Sequence, residues 1–158
     1  MVTDRPLVVE LVLGAIDNLA HAMDGLEKDK AEERLAGCNS IAWIVAHATQ
    51  HLDSWVNCAL AAQPRNSYFA CSDFSTGATG IGAEWDSVCR EFSIVQDKAR
   101  VFLAGVSVTE LANGQQYRGS HPAFAGRFVT GNDRLARVSA HIYLHVGEIT
   151  TMRVARGS

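Results

Sequence analysis

Apolar residues recur every three or four positions along four stretches of the chain, and no stretch carries the strict alternation of a strand. The first stretch runs from about Pro6 to Leu26. Val8, Leu11, Val12, Ala15, Leu19, Ala22, Met23 and Leu26 form one stripe on it. Pro6 suits a first helical turn. A charged run, Glu27 to Arg34, follows and includes the turn. The second stretch starts near Asn39 and Ser40, both good N-caps, and runs to about Ala62, stopping before Pro64. The third runs from about Ala83 to Leu103. Its Trp85, Val88, Phe92, Val95, Ala99 and Phe102 make a bundle-type seam. The fourth starts between Thr130 and Asn132 and runs to about Arg156, with Leu135, Val138, Ile142, Ile149 and Met152 as its apolar positions. The pattern predicts an all-α fold.

Two connections are long: Gln63 to Gly82, which contains Tyr68, Phe69 and Phe74, and Gly105 to Val129. Antiparallel neighbours in a bundle need only a few linking residues. Links of this length point to a crossover between parallel helices over the bundle end. They also point to loops that cover a site. No internal repeat is visible. The 158 residues fit one domain spanning 1–158 and suffice for a proper core.

Composition narrows the class. The chain is 47% hydrophobic and 20% charged, as ordered globular proteins are. Its net charge is −3 and it has no Lys/Arg cluster, which argues against nucleic acid as a partner. The most apolar segment, Leu7 to Ala15, is interrupted by Glu10 and lacks a basic leader. The expectation is therefore a cytoplasmic protein with no membrane span. Cys38, Cys58, Cys71 and Cys89 are scattered without a CxxC pair, so they are expected as free, mostly buried thiols. Cys58 and Cys89 read as small core residues, and Trp43, Trp55 and Trp85 as core or site wall.

The histidines carry the candidate chemistry. His141 and His145 are four apart, one turn along a single helix face, and Glu148 joins that face three residues later. Ile142, Ile149 and Met152 flank them, so the imidazoles lie beside the stripe that faces the core. His47 and His51 repeat the spacing, within the stripe of Ile44, Ala48, Trp55 and Cys58. Several imidazoles buried together need a shared partner, and a divalent metal is one. Two histidines at i and i+4, with a third from a facing helix, supply three corners and leave a position open, as catalytic sites do. The same spacing also fits a buried hydrogen-bonded network with Tyr143 or Glu148, or a subunit interface. His21 reads as a bystander beside its stripe, and His121 as a loop residue.

At this point the residues resemble a known family. Ser40-Ile41-Ala42-Trp43-Ile44-Val45-Ala46-His47 is similar to the second-helix motif of the DinB/YfiT-like superfamily, where an aromatic residue precedes the first metal histidine. His141-Ile142-Tyr143-Leu144-His145-Val146-Gly147-Glu148, followed by Arg153, resembles that family's fourth-helix H-x3-H-x-G-Q signature. The resemblance spans nearly the whole chain. It implies a four-helix bundle with a long crossover between the second and third helices, for which Gln63 to Gly82 is the candidate. It implies a divalent metal on His47, His141 and His145; three imidazoles suit Zn, Ni, Fe or Co, with Zn or Ni the foremost expectation. It further implies use of that metal with a low-molecular-weight thiol such as bacillithiol, mycothiol or glutathione, or in a related hydrolase or isomerase.

Two positions depart from the pattern. Glu148 stands where Gln is usual; a carboxylate there orients a histidine, acts as a base, or is a solvent-facing substitution with no role. His51 has no counterpart in the motif and is a second candidate for a catalytic role, with packing or a fourth ligand as the alternatives. Arg65, Arg118 and Arg127, in or beside the long loops, are candidates for binding an anionic small-molecule substrate. A non-catalytic metal- or ligand-binding bundle is the competing reading, and a homodimer is the expected assembly.

Overall fold

A computed structural model describes residues 5–35, 37–78, 80–113 and 129–157. Four long helices form a bundle, and no strand occurs among the described residues. They are α1 (Leu7–Met23), α3 (Ile41–Leu52), α4 (Trp85–Gly105) and α6 (Gly131–Arg156). Two short helices, α2 (Lys28–Glu32) and α5 (Val108–Ala112), lie in the connections. Helix α1 packs chiefly on α6, while α3 lies against both α4 and α6.

The predicted stripes locate most of the buried faces. On α1 Val12, Ala15, Leu19 and Ala22 are buried as expected and are joined by Val9 and Ile16, whereas Leu11 is exposed and Val8 and Met23 are only half-buried. The helix stops at Met23, earlier than its apolar pattern, because Gly25 turns the chain with φ +67. Helix α3 is buried on nearly every side, from Ile41 to Gln50. A helix apolar all round belongs at the centre of a fold. Ser40 starts it by accepting a 3.2 Å hydrogen bond from the Trp43 amide.

The predicted second helix changes pitch before its end. From Asp53 to Cys58 the backbone is π-helical. Asp53 and Asn57 lie in this turn. Both are buried, and Asn57 Nδ2 donates to the Val95 carbonyl of α4 and to Asp53 Oδ1, each at 3.1 Å. The widened turn coincides with these contacts to the neighbouring helix.

Helix α4 buries Trp85, Val88, Phe92, Val95, Ala99 and Leu103. Its start is tied to α2: the Trp85 amide donates to Glu32 Oε1 at 2.7 Å, and its indole N–H to the Leu26 carbonyl at 3.2 Å. The run 27–34, read as a charged turn, thus contains a helix that anchors the next element. Helix α6 opens with a capping box between Thr130 and Asp133. Gly131 follows at a close approach, since a Cβ there would lie 2.9 Å from the Leu111 Cα.

Two expectations about side chains are corrected. Cys38 and Cys71 are exposed, and Cys58 and Cys89 only half-buried. These thiols sit on loops or at helix flanks rather than on the stripes. All four are free, as expected. No helix among the described residues is long and apolar enough to cross a membrane.

Candidate metal centre

The two inward histidine pairs meet where α3 faces α6. His47, His141 and His145 are buried and each offers a ring nitrogen within 4.8 Å of the others. His47 lies 5.0 Å, centroid to centroid, from both His141 and His145. The α-helical spacing aligns His141 with His145. Only the packing of α3 on α6 adds His47.

Hydrogen bonds decide which nitrogens are available. His47 Nδ1 is 2.6 Å from the Phe74 carbonyl. A carbonyl only accepts, so Nδ1 carries the proton and Nε2 keeps its lone pair. His145 Nδ1 is 2.7 Å from Glu148 Oε2, which holds that ring in the same tautomer. His145 Nε2 faces His141 Nε2 at 3.2 Å. Two ligands about 2.0–2.1 Å from a tetrahedral zinc are about 3.3 Å apart. The donor set and this spacing therefore fit a divalent metal.

Protonation favours the same use. Burial lowers the pKa of His47, although the Phe74 carbonyl works against it. Burial also lowers that of His141, helped by the neighbouring His51 and His145. Neutral imidazole is the form that ligates metal.

His51 stands beside the triad. Its ring is 4.0 Å from that of His141 and 4.7 Å from that of His47. It is half-buried and does not join the three converging nitrogens. Burial pushes its pKa down to about 3, with further lowering from His47, Arg137 and Arg65. Glu148 is half-exposed and engaged with His145.

Positive charge lies close by. Arg65 acts on His51, and Arg137, one turn before His141 on α6, acts on both His51 and His141. Arg137 was not singled out from the sequence, although its i−4 spacing from His141 was there to be read. His121, Arg118 and Arg127 lie outside the described residues. Arg153 has a different role: its guanidinium donates to the Ala22 and Asp24 carbonyls at 2.9 Å, capping α1. His21 is exposed, near Asp24.

The wall of the site comes from the crossover. Trp43 stacks on His47 at 4.9 Å with an 8° interplanar angle. Its indole N–H donates 2.8 Å to the Asp73 carbonyl. Gln50 Nε2 donates to the carbonyls of Phe69 and Cys71 at 2.8 and 2.9 Å. Sequence reasoning missed Gln50 and the Phe74 carbonyl. The signal for Gln50 was a polar residue on the inward stripe; a backbone carbonyl leaves none.

No protein-family model and no curated protein matches the sequence. Solved structures do match. A conserved protein from Enterococcus faecalis aligns with a TM-score of 0.66 and 16% identity over 96% of each chain. YfiT from Bacillus subtilis, described as a probable metal-dependent hydrolase with an unusual four-helix bundle topology, aligns with a TM-score of 0.63 and 14% identity. That match covers 96% of this chain and 86% of YfiT. At such identities the likeness is one of fold: the chain shares the four-helix bundle topology of YfiT, with a long crossover connection.

Proposed function

We propose that this protein is a divalent-metal-dependent enzyme that activates a small nucleophile beside His47, His141 and His145. The observation that carries the reading is the convergence of three buried imidazoles, two of them held in the tautomer that leaves Nε2 unprotonated. A metal bound there, Zn or Ni foremost, supplies a Lewis acid that eases loss of a proton from water or a thiol.

The chain's own residues then have distinct tasks. The Phe74 carbonyl and Glu148 orient His47 and His145 through Nδ1. His51, kept neutral by burial, presents an uncharged ring next to the ligands. Arg65 and Arg137 raise the local positive potential, which favours an anionic nucleophile or substrate. This last point favours transfer of a low-molecular-weight thiol to an electrophile, with carboxylate-bearing thiols such as bacillithiol or glutathione ahead of the uncharged mycothiol. Hydrolysis is the second reading, supported by the description of YfiT.

Metal content measured by plasma mass spectrometry on untagged protein is the first test. The parent should hold about one equivalent per chain by the single-site reading, and His145→Ala should lose it. The loaded protein should then couple a thiol to monobromobimane or a chloro-nitrobenzene, or hydrolyse a nitrophenyl ester. Metal without turnover in any of these assays would favour a non-catalytic metal-binding bundle. A parent that takes up no Zn, Ni or Mn would overturn the metal reading itself.

A further inference from the structure

Three side chains on one stripe of α3 grip the crossover. Trp43, His47 and Gln50 fall at i, i+4 and i+7, so they share a face. Between them they donate to four carbonyls: Phe69, Cys71, Asp73 and Phe74. Asp53 extends the grip by accepting the Asn66 amide at 2.9 Å, and Asn66 Oδ1 accepts the Tyr68 and Phe69 amides. Phe69 and Phe74 plug into the core beneath.

This arrangement exceeds what packing requires. Trp43 and Gln50 are each 5% exposed, and an apolar residue would fill the space of Gln50 without needing partners. What their hydrogen bonds define is the path of the backbone that ends at Phe74. The Asp73 carbonyl belongs to the peptide plane that enters Phe74, so holding it restricts where the next carbonyl can point.

We propose that Trp43 and Gln50 are positioning residues of the metal centre: by clamping the Phe69, Cys71 and Asp73 carbonyls they deliver the Phe74 carbonyl to His47 Nδ1, coupling crossover docking to metal affinity. The inference rests on the metal reading above. A partner at Nδ1 fixes the ring and raises the basicity of Nε2. A metal at Nε2 makes Nδ1–H the stronger donor in turn. Linkage requires that docking strengthen metal binding by the same factor as metal strengthens docking, so undocking the crossover weakens metal binding by up to that factor.

The test titrates Co(II) and Zn(II) alone into the metal-free full chain. Trp43→Phe keeps an aromatic ring near His47 but has no N–H to give. Gln50→Met keeps the length of the side chain without donors, and it carries the test alone if Trp43→Phe does not fold. Leu103→Ala is the control, because it opens the core of α4 and Leu103 contributes no atom to these hydrogen bonds. Both positioning variants should bind at least about tenfold more weakly, the cost typical of losing a ligand's orienting partner. They should also shift the visible Co(II) absorption of the saturated protein. The control should lower Tm and leave affinity and spectrum unchanged. Variants that match the parent, or that lose no more than the control, would overturn the proposal. A parent that takes up no Co(II) or Zn(II) overturns the underlying metal reading, and the two failures are thereby told apart.

Discussion

Glu148 accepts a 2.7 Å hydrogen bond from Nδ1 of His145, three residues earlier on α6. The contact joins a half-exposed carboxylate to a buried imidazole, and it sets which nitrogen faces His141. Glu148→Ala should therefore weaken metal binding by about 10–100-fold, while Glu148→Gln, which keeps an acceptor, should lose much less. Competition against a calibrated chelator reads both constants. Equal affinities for parent and Glu148→Ala would remove the orienting role.

Acid should destabilise the metal-free protein in a defined window. His47, His51 and His141 have folded pKa values below the ordinary 6.5, mainly through burial. Below pH 6.5 the unfolded chain therefore binds protons that the folded chain refuses, and stability falls as pH falls. The fall continues toward pH 3, where His51 itself titrates in the folded state. Each such histidine contributes a slope of up to about 1.4 kcal/mol per pH unit. Thermal melts from pH 7.5 to 5 should show a declining Tm, shallower in His51→Gln. A flat profile would mean that the imidazoles are not held neutral.

Metal should act as a folding ligand. Binding to the native state alone adds about 2.7 kcal/mol when free metal is a hundred times its Kd. Melts with and without stoichiometric excess Zn(II) should show a higher Tm with metal, reversed by chelation. His141→Ala should abolish the increment. An increment that survives in this variant would locate the ion elsewhere.

Gly131→Ala tests how α5 seats α6. The new Cβ would meet the Leu111 Cα at 2.9 Å and Cδ2 at 2.9 Å. Backbone cannot yield as a flexible side chain does, so overpacking of about 1–3 kcal/mol is expected. Chemical denaturation of the metal-free protein measures it. Stability equal to the parent would show that the α5 segment shifts freely.

Much of the bundle was legible in the chain because helical periodicity is local. A stripe such as Trp85, Val88, Phe92, Val95 and Ala99 declares its buried face without reference to any other segment. Caps are equally local, as Ser40 and Thr130 show. The short helix α5 also had a local signal that went unread, the capping box of Ser107 and Glu110. The spacing of His141, His145 and Glu148 belongs to the same class. One helix sets their relation, and a resemblance to a known motif could be recognised from it.

Tertiary structure alone decided the rest. Whether His47 meets His141 depends on how α3 packs on α6, and no local rule reports that distance. In the π-helical turn after Leu52, Asp53 and Asn57 find partners in the crossover and in α4, contacts that only tertiary packing supplies. The Phe74 carbonyl at His47 is a backbone group, the same chemical unit at every residue, so no side-chain pattern marks it. Sequence determines which faces turn inward, since that follows from spacing. Which inward groups touch follows from packing the whole chain, and the candidate metal centre lies in those contacts.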